Sequence, residues 1–180
     1  MRITVVEKSI SLRTPICSFD AMNGILCPQC ESKLDSGQLT KADIEASIKL
    51  VQLSQKIPQI EKFTLDSCHE SNENYVLYLS GTDIMIIRKS RELYRILQGE
   101  FSGKIWLVEE GCNDNKFIED MFFPIKILTI NQLWAPGGVA KTKVIVSGRK
   151  TLRFPINVDK VIAISKDLRK IELVVEFEKK

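Results

Sequence analysis

The sequence predicts an α+β protein in which a small cysteine-containing head precedes two copies of one domain. Three observations support this: landmarks that occur twice in the same order, apolar positions with strand-like or helix-like spacing, and a cysteine cluster near the N-terminus. The paired landmarks are Phe63-Thr64-Leu65 and Leu128-Thr129-Ile130, Ser80-Gly81 and Ser147-Gly148, and Lys104 to Glu109 and Lys170 to Glu176. Because internal repeats determine architecture, the second copy should repeat the elements of the first.

Each copy is predicted to have the element order α-β-β-α-α-β, with the helices on one side of a three-stranded sheet. The first helix of the first copy is predicted over Lys41 to Lys56, with Thr40 as its N-cap and Asp43 in its first turn. Its counterpart is predicted over Lys116 to Ile127. An apolar stripe on that second helix needs a partner, so we expect the two copies to pack into one rigid body.

Alternating apolar residues predict two strands after each first helix. A polar connection, Cys68 to Asn74, joins them in the first copy, and the turn Ala135-Pro136-Gly137-Gly138 joins them in the second. Helical segments follow each Ser-Gly pair and lead to the third strands, Lys104 to Glu109 and Lys170 to Phe177. The predicted boundaries are 1–39 for the head, 40–111 for the first copy and 112–180 for the second.

This order of elements resembles the prokaryotic (type II) KH domain, and a tandem pair is similar to the archaeal NusA-like family of transcription factors. The resemblance covers residues 40–180 and rests on topology and spacing. KH domains usually carry Ile-Gly-x-x-Gly between two helices, where missing side chains let nucleic-acid backbone approach a helix N-terminus. Here Ile87-Arg88-Lys89-Ser90-Arg91 and Pro155-Ile156-Asn157-Val158 occupy these slots, and neither contains glycine. The resemblance implies RNA association in transcription elongation or termination.

Basic side chains stand where the glycines are missing. Long cationic side chains bind phosphate as charges or forks, which favours affinity over sequence reading, so the expected partner is single-stranded RNA bound with weak sequence selectivity. The alternative is that these are ordinary solvated charges, and a net charge of +3 does not decide between the two. The predicted RNA-binding residues are Arg88, Lys89, Ser90, Arg91 and Arg95 in the first copy and Arg149, Lys150 and Arg153 in the second.

The head contains a pattern of two metal-binding knuckles. Cys17-x2-Asp20-x6-Cys27-x2-Cys30 resembles a zinc ribbon in which a carboxylate replaces one thiolate. Some archaeal NusA-like proteins begin with a pair of CxxC knuckles, so the resemblance extends to the head. Two interpretations stay open: one structural Zn²⁺ bound by these four residues, or a head that lost its ion and keeps the cysteines as small buried apolar residues.

Composition favours a cytoplasmic protein. An odd number of cysteines, 5, without a secretory signal argues for a reducing compartment, and we predict no transmembrane helix. The N-terminus alternates Ile3, Val5 and charged residues, which predicts a strand.

Enzymatic activity is not expected. The chain has a single histidine, His69, next to Cys68, but neighbours on an extended segment point to opposite faces and do not form a catalytic pair. We find no Walker A loop or GxGxxG turn.

The alternative to RNA binding is an adaptor that docks on RNA polymerase or ribosomal components. Met85, Met121, Phe122 and Phe123 are candidates for an exposed apolar patch. We favour packing of Met121-Phe122-Phe123 between the two copies, because three exposed apolar side chains in a row are costly in water. We expect no membrane and no small-molecule substrate.

Overall fold

The computed structural model describes residues 11–134, 140–149, 151 and 154–178, and it consists of a helical head and two three-stranded sheets with their helices. The helices are α1 Ser18–Asn23, α2 Pro28–Asp35, α3 Lys41–Lys56, α4 Gly81–Lys89, α5 Arg91–Glu100, α6 Asp114–Phe122 and α7 Val158–Arg169, with a 3-10 helix at Pro58–Lys62. The strands are β1 Leu65–Ser71, β2 Asn74–Leu79, β3 Ile105–Glu109, β4 Ile127–Trp134, β5 Ala140–Val146 and β6 Leu173–Phe177. This is the predicted α+β fold.

The two sheets share one topology, which confirms that the domain is repeated. The ladders align Leu65 with Ile127 and Ile105 with Leu173, so the pairing of Ser80-Gly81 with Ser147-Gly148 is confirmed, whereas the pairings of Thr64 with Thr129 and Lys104 with Lys170 are wrong by two or three residues. In each sheet the first strand is antiparallel to the second and the second is parallel to the third. A register irregularity follows the first pair of both ladders, Leu65 with Leu79 and Ile127 with Val146. Because both bulges occupy the same place, every residue of one sheet has a defined counterpart in the other.

Helix α3 has the predicted limits, and its cap shows why. The Asp43 N–H donates to Thr40 Oγ1 at 3.1 Å, while Asp43 Oδ2 accepts from the Thr40 N–H at 2.8 Å. This reciprocal capping box satisfies two backbone donors at the helix start.

The connection predicted over Cys68 to Asn74 is wrong in length. β1 continues to Ser71, and only Asn72 and Glu73 form the turn, with φ of 50° and 59°. A two-residue turn with both φ positive matches the twist of the strands, and asparagine tolerates that conformation. The turn Ala135-Pro136-Gly137-Gly138 lies outside the described residues.

Two helices differ from their predictions. α6 runs over Asp114–Phe122 instead of Lys116 to Ile127, because Pro124 disfavours helical backbone in the preceding residue and β4 already begins at Ile127. In the second copy the described residues contain one helix between β5 and β6, α7, where two were predicted. Gly148, with φ of 108°, and Pro155 both oppose a helix in that stretch.

The molecule is built in four layers. Helices α3, α4 and α5 cover one face of the first sheet through Tyr75, Leu77 and Leu79. Its other face, with Val76 and Tyr78, shares a second core with α6 and α7. The second sheet packs on the opposite side of these two helices, so α6 and α7 lie between the sheets.

This arrangement confirms that Met121 and Phe122 are core residues. Both are fully buried in the core that the two copies share. The prediction that Phe123 packs with them is wrong, because this residue follows the end of α6 and is 47% exposed.

The head joins the first core rather than forming a separate one. Leu12, Ile16 and Ala21 pack with residues of α3, and its two short helices take the place of the strands that a zinc ribbon would have. The strand predicted around Ile3 and Val5 lies outside the described residues. No helix among the described residues has the length and apolar character needed to cross a bilayer.

Candidate functional sites

The four predicted metal ligands come together at the N-terminal ends of two helices. Cys17 is the N-cap of α1 and Asp20 lies in its first turn, while Cys27 is the N-cap of α2 and Cys30 lies in its first turn. The N-cap and the third helical residue face the same side of a helix start. Because two residues separate the members of each pair, both side chains of a pair point to the same place.

The geometry fits a single ion. One donor atom from each of these residues lies within 4.8 Å of all the others. Thiolates bound to tetrahedral zinc at about 2.3 Å lie about 3.8 Å apart, so small side-chain movements close the site. The cluster can therefore hold a metal ion.

Asp20 is the member with the most informative surroundings. It is completely buried, and its Oδ2 accepts from the Cys27 N–H at 2.9 Å. Its Oδ1 has no hydrogen-bond partner in the part of the chain that the structure describes. A buried carboxylate oxygen without a partner is costly, and a cation at the centre of the cluster would remove that cost.

Two thiols of the cluster, Cys17 and Cys30, have raised pKa values that favour the protonated form. Burial raises the pKa of Cys30 to about 12 and raises that of Cys17 in the same direction. The hydrogen bond from the Cys27 N–H lowers the pKa of Asp20 well below its ordinary value. Asp20 is thus ionised at neutral pH, and a bound metal must displace thiol protons.

Cys68 and Cys112 do not belong to this cluster. Cys68 is buried in the first core, and burial raises its pKa. His69, its neighbour on β1, contacts the Tyr78 ring edge-on at 5.5 Å between ring centres. Since Tyr78 belongs to the second core and Cys68 to the first, the two neighbours face opposite sides of the sheet.

The first basic cluster surrounds the short turn between α4 and α5. Ser90 ends one helix and caps the next, with its Oγ accepting from the Leu93 N–H at 3.2 Å. Lys89, Arg91 and Arg95 are exposed around it. The turn therefore occupies the predicted slot, and three of its cations face solvent.

Arg88 differs from the rest of the cluster because it joins the two copies. Its Nη1 donates to Asp120 Oδ1 at 3.0 Å and its Nη2 donates to the Leu107 carbonyl at 3.2 Å. The guanidinium also lies 4.1 Å from the centre of the Phe123 ring. The prediction that Arg88 binds phosphate omitted this role, because Asp120 approaches it only in the folded chain.

The second basic cluster is only partly described. Arg149 is exposed at the end of β5, while Lys150 and Arg153 lie outside the described residues. Its role in RNA binding stays a prediction.

A cavity of about 570 Å³ lies beside the first cluster, between the two copies. Helix α5 and strand β3 line one side, and residues that flank α6 and α7 line the other. Its lining includes Arg91, Tyr94, Lys104, Trp106, Phe123 and Ile156.

Sequence reasoning overlooked Lys104 in this cavity. The Lys104 amine lies 5.1 Å from the centre of the Trp106 ring, and burial lowers its pKa. Its position at the start of a repeated strand was the available signal, but only the fold brings it into the same cavity as Arg91. The cavity thus combines aromatic rings with three cationic side chains, Arg88, Arg91 and Lys104.

Comparisons with known proteins place few constraints on these sites. No protein-family model matches the chain, and no curated protein matches it. The chain is similar to the crystal structure of APE1850, with 17% identity and a TM-score of 0.44, over 72% of this chain and 95% of that one. At that distance we draw no functional conclusion from the similarity.

Proposed function

We propose that this protein is a non-catalytic RNA-binding factor of the cytoplasmic transcription machinery that acts in elongation or termination. The observation that carries the proposal is the exposed cluster of Lys89, Arg91 and Arg95 around the α4–α5 turn, of which Arg91 also lines the cavity between the copies. The element order that resembles tandem KH domains of archaeal NusA-like proteins supports a place near RNA polymerase. Neither a membrane nor a small-molecule substrate is part of the proposal.

Charge and shape at the α4–α5 turn suit single-stranded RNA. Such proteins combine a cationic groove along the phosphates with surfaces on which bases can lie. Lys89, Arg91 and Arg95 supply charge, while the cavity supplies Tyr94 and Lys104. Because the glycine-based backbone cradle is absent at Ser90, phosphate neutralisation is the main proposed attraction, and sequence selectivity is weak.

The test is RNA affinity measured over a salt series. Neutralising the three exposed cations with Lys89→Gln, Arg91→Gln and Arg95→Gln should weaken binding of labelled single-stranded RNA. It should also lower the logarithmic salt slope by up to about 2, because each lost phosphate contact contributes about 0.7. Preference among RNA sequences should hardly change. Arg88 is left intact, since its loss would disturb the contact between the copies.

A matched control removes the same charge elsewhere. Lys41→Gln, Lys56→Gln and Lys62→Gln change three exposed lysines on α3 and the 3-10 helix, and they should leave affinity and slope near those of the wild type. Equal losses in both triple variants would indicate nonspecific attraction to the whole molecule. Unchanged affinity and slope in the α4–α5 variant would end the RNA proposal at this turn.

For the head, the proposal is one structural zinc ion bound by Cys17, Asp20, Cys27 and Cys30. Its support is the convergence of four donors and the unpartnered Asp20 Oδ1. Purified protein should carry about one equivalent of zinc, and chelation should loosen the head before the two sheets, because structural zinc contributes folding energy directly.

Variants at Asp20 separate the two interpretations of the head. Asp20→Asn should weaken zinc binding, whereas Asp35→Asn at the exposed end of α2 should not. If the purified protein is metal-free and its head resists unfolding, the head is a former zinc site that is now held together by packing. In that case Asp20→Cys should create a zinc site.

An adaptor remains the second candidate because the head exposes an apolar surface. Phe19, Met22 and Ile25 are all largely exposed on or just after α1. Contiguous exposed apolar residues are typical of docking sites. An apolar interface with RNA polymerase should hold at high salt, whereas RNA binding should weaken steeply. Salt-insensitive polymerase binding without RNA affinity would favour the adaptor.

A further inference from the structure

The hairpin of β4 and β5 lies in the most cationic stretch of the chain. Between Asp120 and Asp159 the sequence contains no aspartate or glutamate. The same stretch contains the basic residues Lys126, Lys141, Lys143, Arg149, Lys150 and Arg153. The rest of the chain mixes acidic and basic residues, so this segment concentrates positive charge far beyond what a net charge of +3 suggests.

The described cations of this hairpin are available to an anionic partner. Lys126 and Arg149 are exposed at one end, where the Ser147 N–H donates to the Lys126 carbonyl, and Lys141 is exposed at the other. Among the ion pairs of the described residues, Lys143 pairs with Glu176 at 2.8 Å, and none involves these three. Cationic side chains therefore stand at both ends of a strand pair.

A tryptophan stands at the same end as Lys141. Trp134, the last residue of β4, is 73% exposed, and its cross-strand partner is the small residue Ala140. Tryptophan usually buries its large apolar ring, so an exposed ring in a segment of uniform positive charge is an unfavourable arrangement for the free protein. Lys141 pairs with Leu133, so its side chain starts on the opposite face of the strand pair from Trp134, next to it along the sheet end. An exposed aromatic ring on a strand pair that also carries unpaired cations is the combination that single-stranded nucleic acids bind.

We infer that the β4–β5 hairpin is a second RNA contact in which an unpaired base stacks on Trp134 while Lys126, Lys141 and Arg149 neutralise phosphates. This rests on the proposed function and extends it to a surface apart from the α4–α5 turn. Stacking tolerates any base, so this contact adds affinity without sequence selectivity.

Fluorescence can test the stacking step because the chain has only two tryptophans. Trp106 is 4% exposed but lines the cavity beside the α4–α5 turn, so the signal of Trp134 is obtained by comparing the wild type with Trp134→Phe, which keeps Trp106. A short oligouridine should quench Trp134 emission, whereas inorganic polyphosphate, which carries charge but no bases, should bind without comparable quenching. The variant Trp134→Phe should lose the quenching signal and keep most of the affinity, since phenylalanine retains an aromatic face.

Affinity measurements supply the second readout. Trp134→Ala should weaken oligouridine binding about five- to a hundredfold and leave the salt slope and polyphosphate binding unchanged. Lys126→Gln with Lys141→Gln should instead lower the slope by about 1.4. Leu133→Ala is the matched control, because it removes a neighbouring exposed apolar side chain that has no aromatic face.

Each outcome decides between the inference and the function on which it rests. If wild-type protein binds RNA but Trp134→Ala binds equally well, the hairpin contact is overturned while the proposed function stands. Equal quenching by oligouridine and polyphosphate would also overturn stacking. If the wild type binds no RNA at all, both proposals fail, and a protein becomes the candidate partner of the exposed Trp134 ring.

Discussion

The two sheets of this protein share their connections and register but differ in what covers them. Every residue of β2 is buried, whereas no described residue of β4 is buried. On the face of the first sheet that contacts α6 and α7, the central residues are Val76, Tyr78, Trp106 and Val108. The register places Lys143, Ile145, Val174 and Glu176 at the same four positions of the second sheet, and these lie outside both cores.

Two of these four positions explain why this face lies in a core in the first sheet and outside both cores in the second. Where the first copy has Val76 and Val108, the second has Lys143 and Glu176, which form an ion pair at 2.8 Å. Strands that are buried on both faces need apolar residues at consecutive positions, while a strand with one open face alternates. A repeated domain can therefore serve as the interior of the molecule in one copy and as its edge in the other.

The largest expected effect comes from placing the second copy's pair in the first. Val76→Lys with Val108→Glu puts two charges into the shared core, where both residues are fully buried. We expect a loss of more than about 4 kcal/mol in the free energy of unfolding, because desolvation of a buried pair exceeds its attraction. Urea denaturation measures the loss, and NMR relaxation should show the copies tumbling separately in any folded fraction. Stability close to that of the wild type would mean that this face is open to water.

Truncation within the shared core should come next. Phe117→Ala empties a fully buried position on α6 and should cost about 3–5 kcal/mol. Because α6 lies between the sheets, circular dichroism during denaturation should still show one transition for both copies. Phe123→Ala, just after the same helix, is the control and should cost about 1 kcal/mol, mainly its contact with Arg88. Two separate transitions would show that the copies do not share a core.

The polar contact between the copies should contribute less. The carboxylate of Asp120 is buried and accepts from Arg88 at 3.0 Å, from Lys116 at 2.7 Å and from the Glu109 N–H at 3.0 Å. Asp120→Asn should cost about 2–3 kcal/mol, because it leaves partly buried cations without their counter-charge. Asp114→Asn, on the same helix, removes a surface partner of Arg169 and should cost less than about 1 kcal/mol. Equal costs in thermal or urea unfolding would contradict the assignment of Asp120 as the contact between the copies.

The smallest stability change should follow the reciprocal exchange. Lys143→Val with Glu176→Val should change stability by less than about 1 kcal/mol, since exposed ion pairs contribute little. It should nevertheless increase self-association in sedimentation experiments, because Ile145 and Val174 would then extend into an apolar face. Lys166→Val with Glu172→Val removes another surface pair and is the control. If the Lys143→Val, Glu176→Val protein stays strictly monomeric, the ion pair is not what prevents this face from self-associating.

Much of the fold follows from local patterns in the sequence. The repeat, the limits of α3 and the positions of the strands depend on capping residues and on apolar spacing, which act over a few residues. The convergence of the metal cluster also follows from local spacing, since each pair spans one helix start. The sequence did not show that these starts belong to helices, because short segments have weak intrinsic preferences.

The remaining features depend on contacts between distant residues. In the sequence Arg88 is one of several basic residues, and only the fold places Asp120 within hydrogen-bonding distance of its guanidinium. Lys104 lines the cavity only because β3 runs beside α5. By itself the sequence determined helix α3, the order of the strands and which side chains carry charge. Only the tertiary structure decided that α6 and α7 serve both sheets, because burial depends on which surfaces meet after the chain has folded.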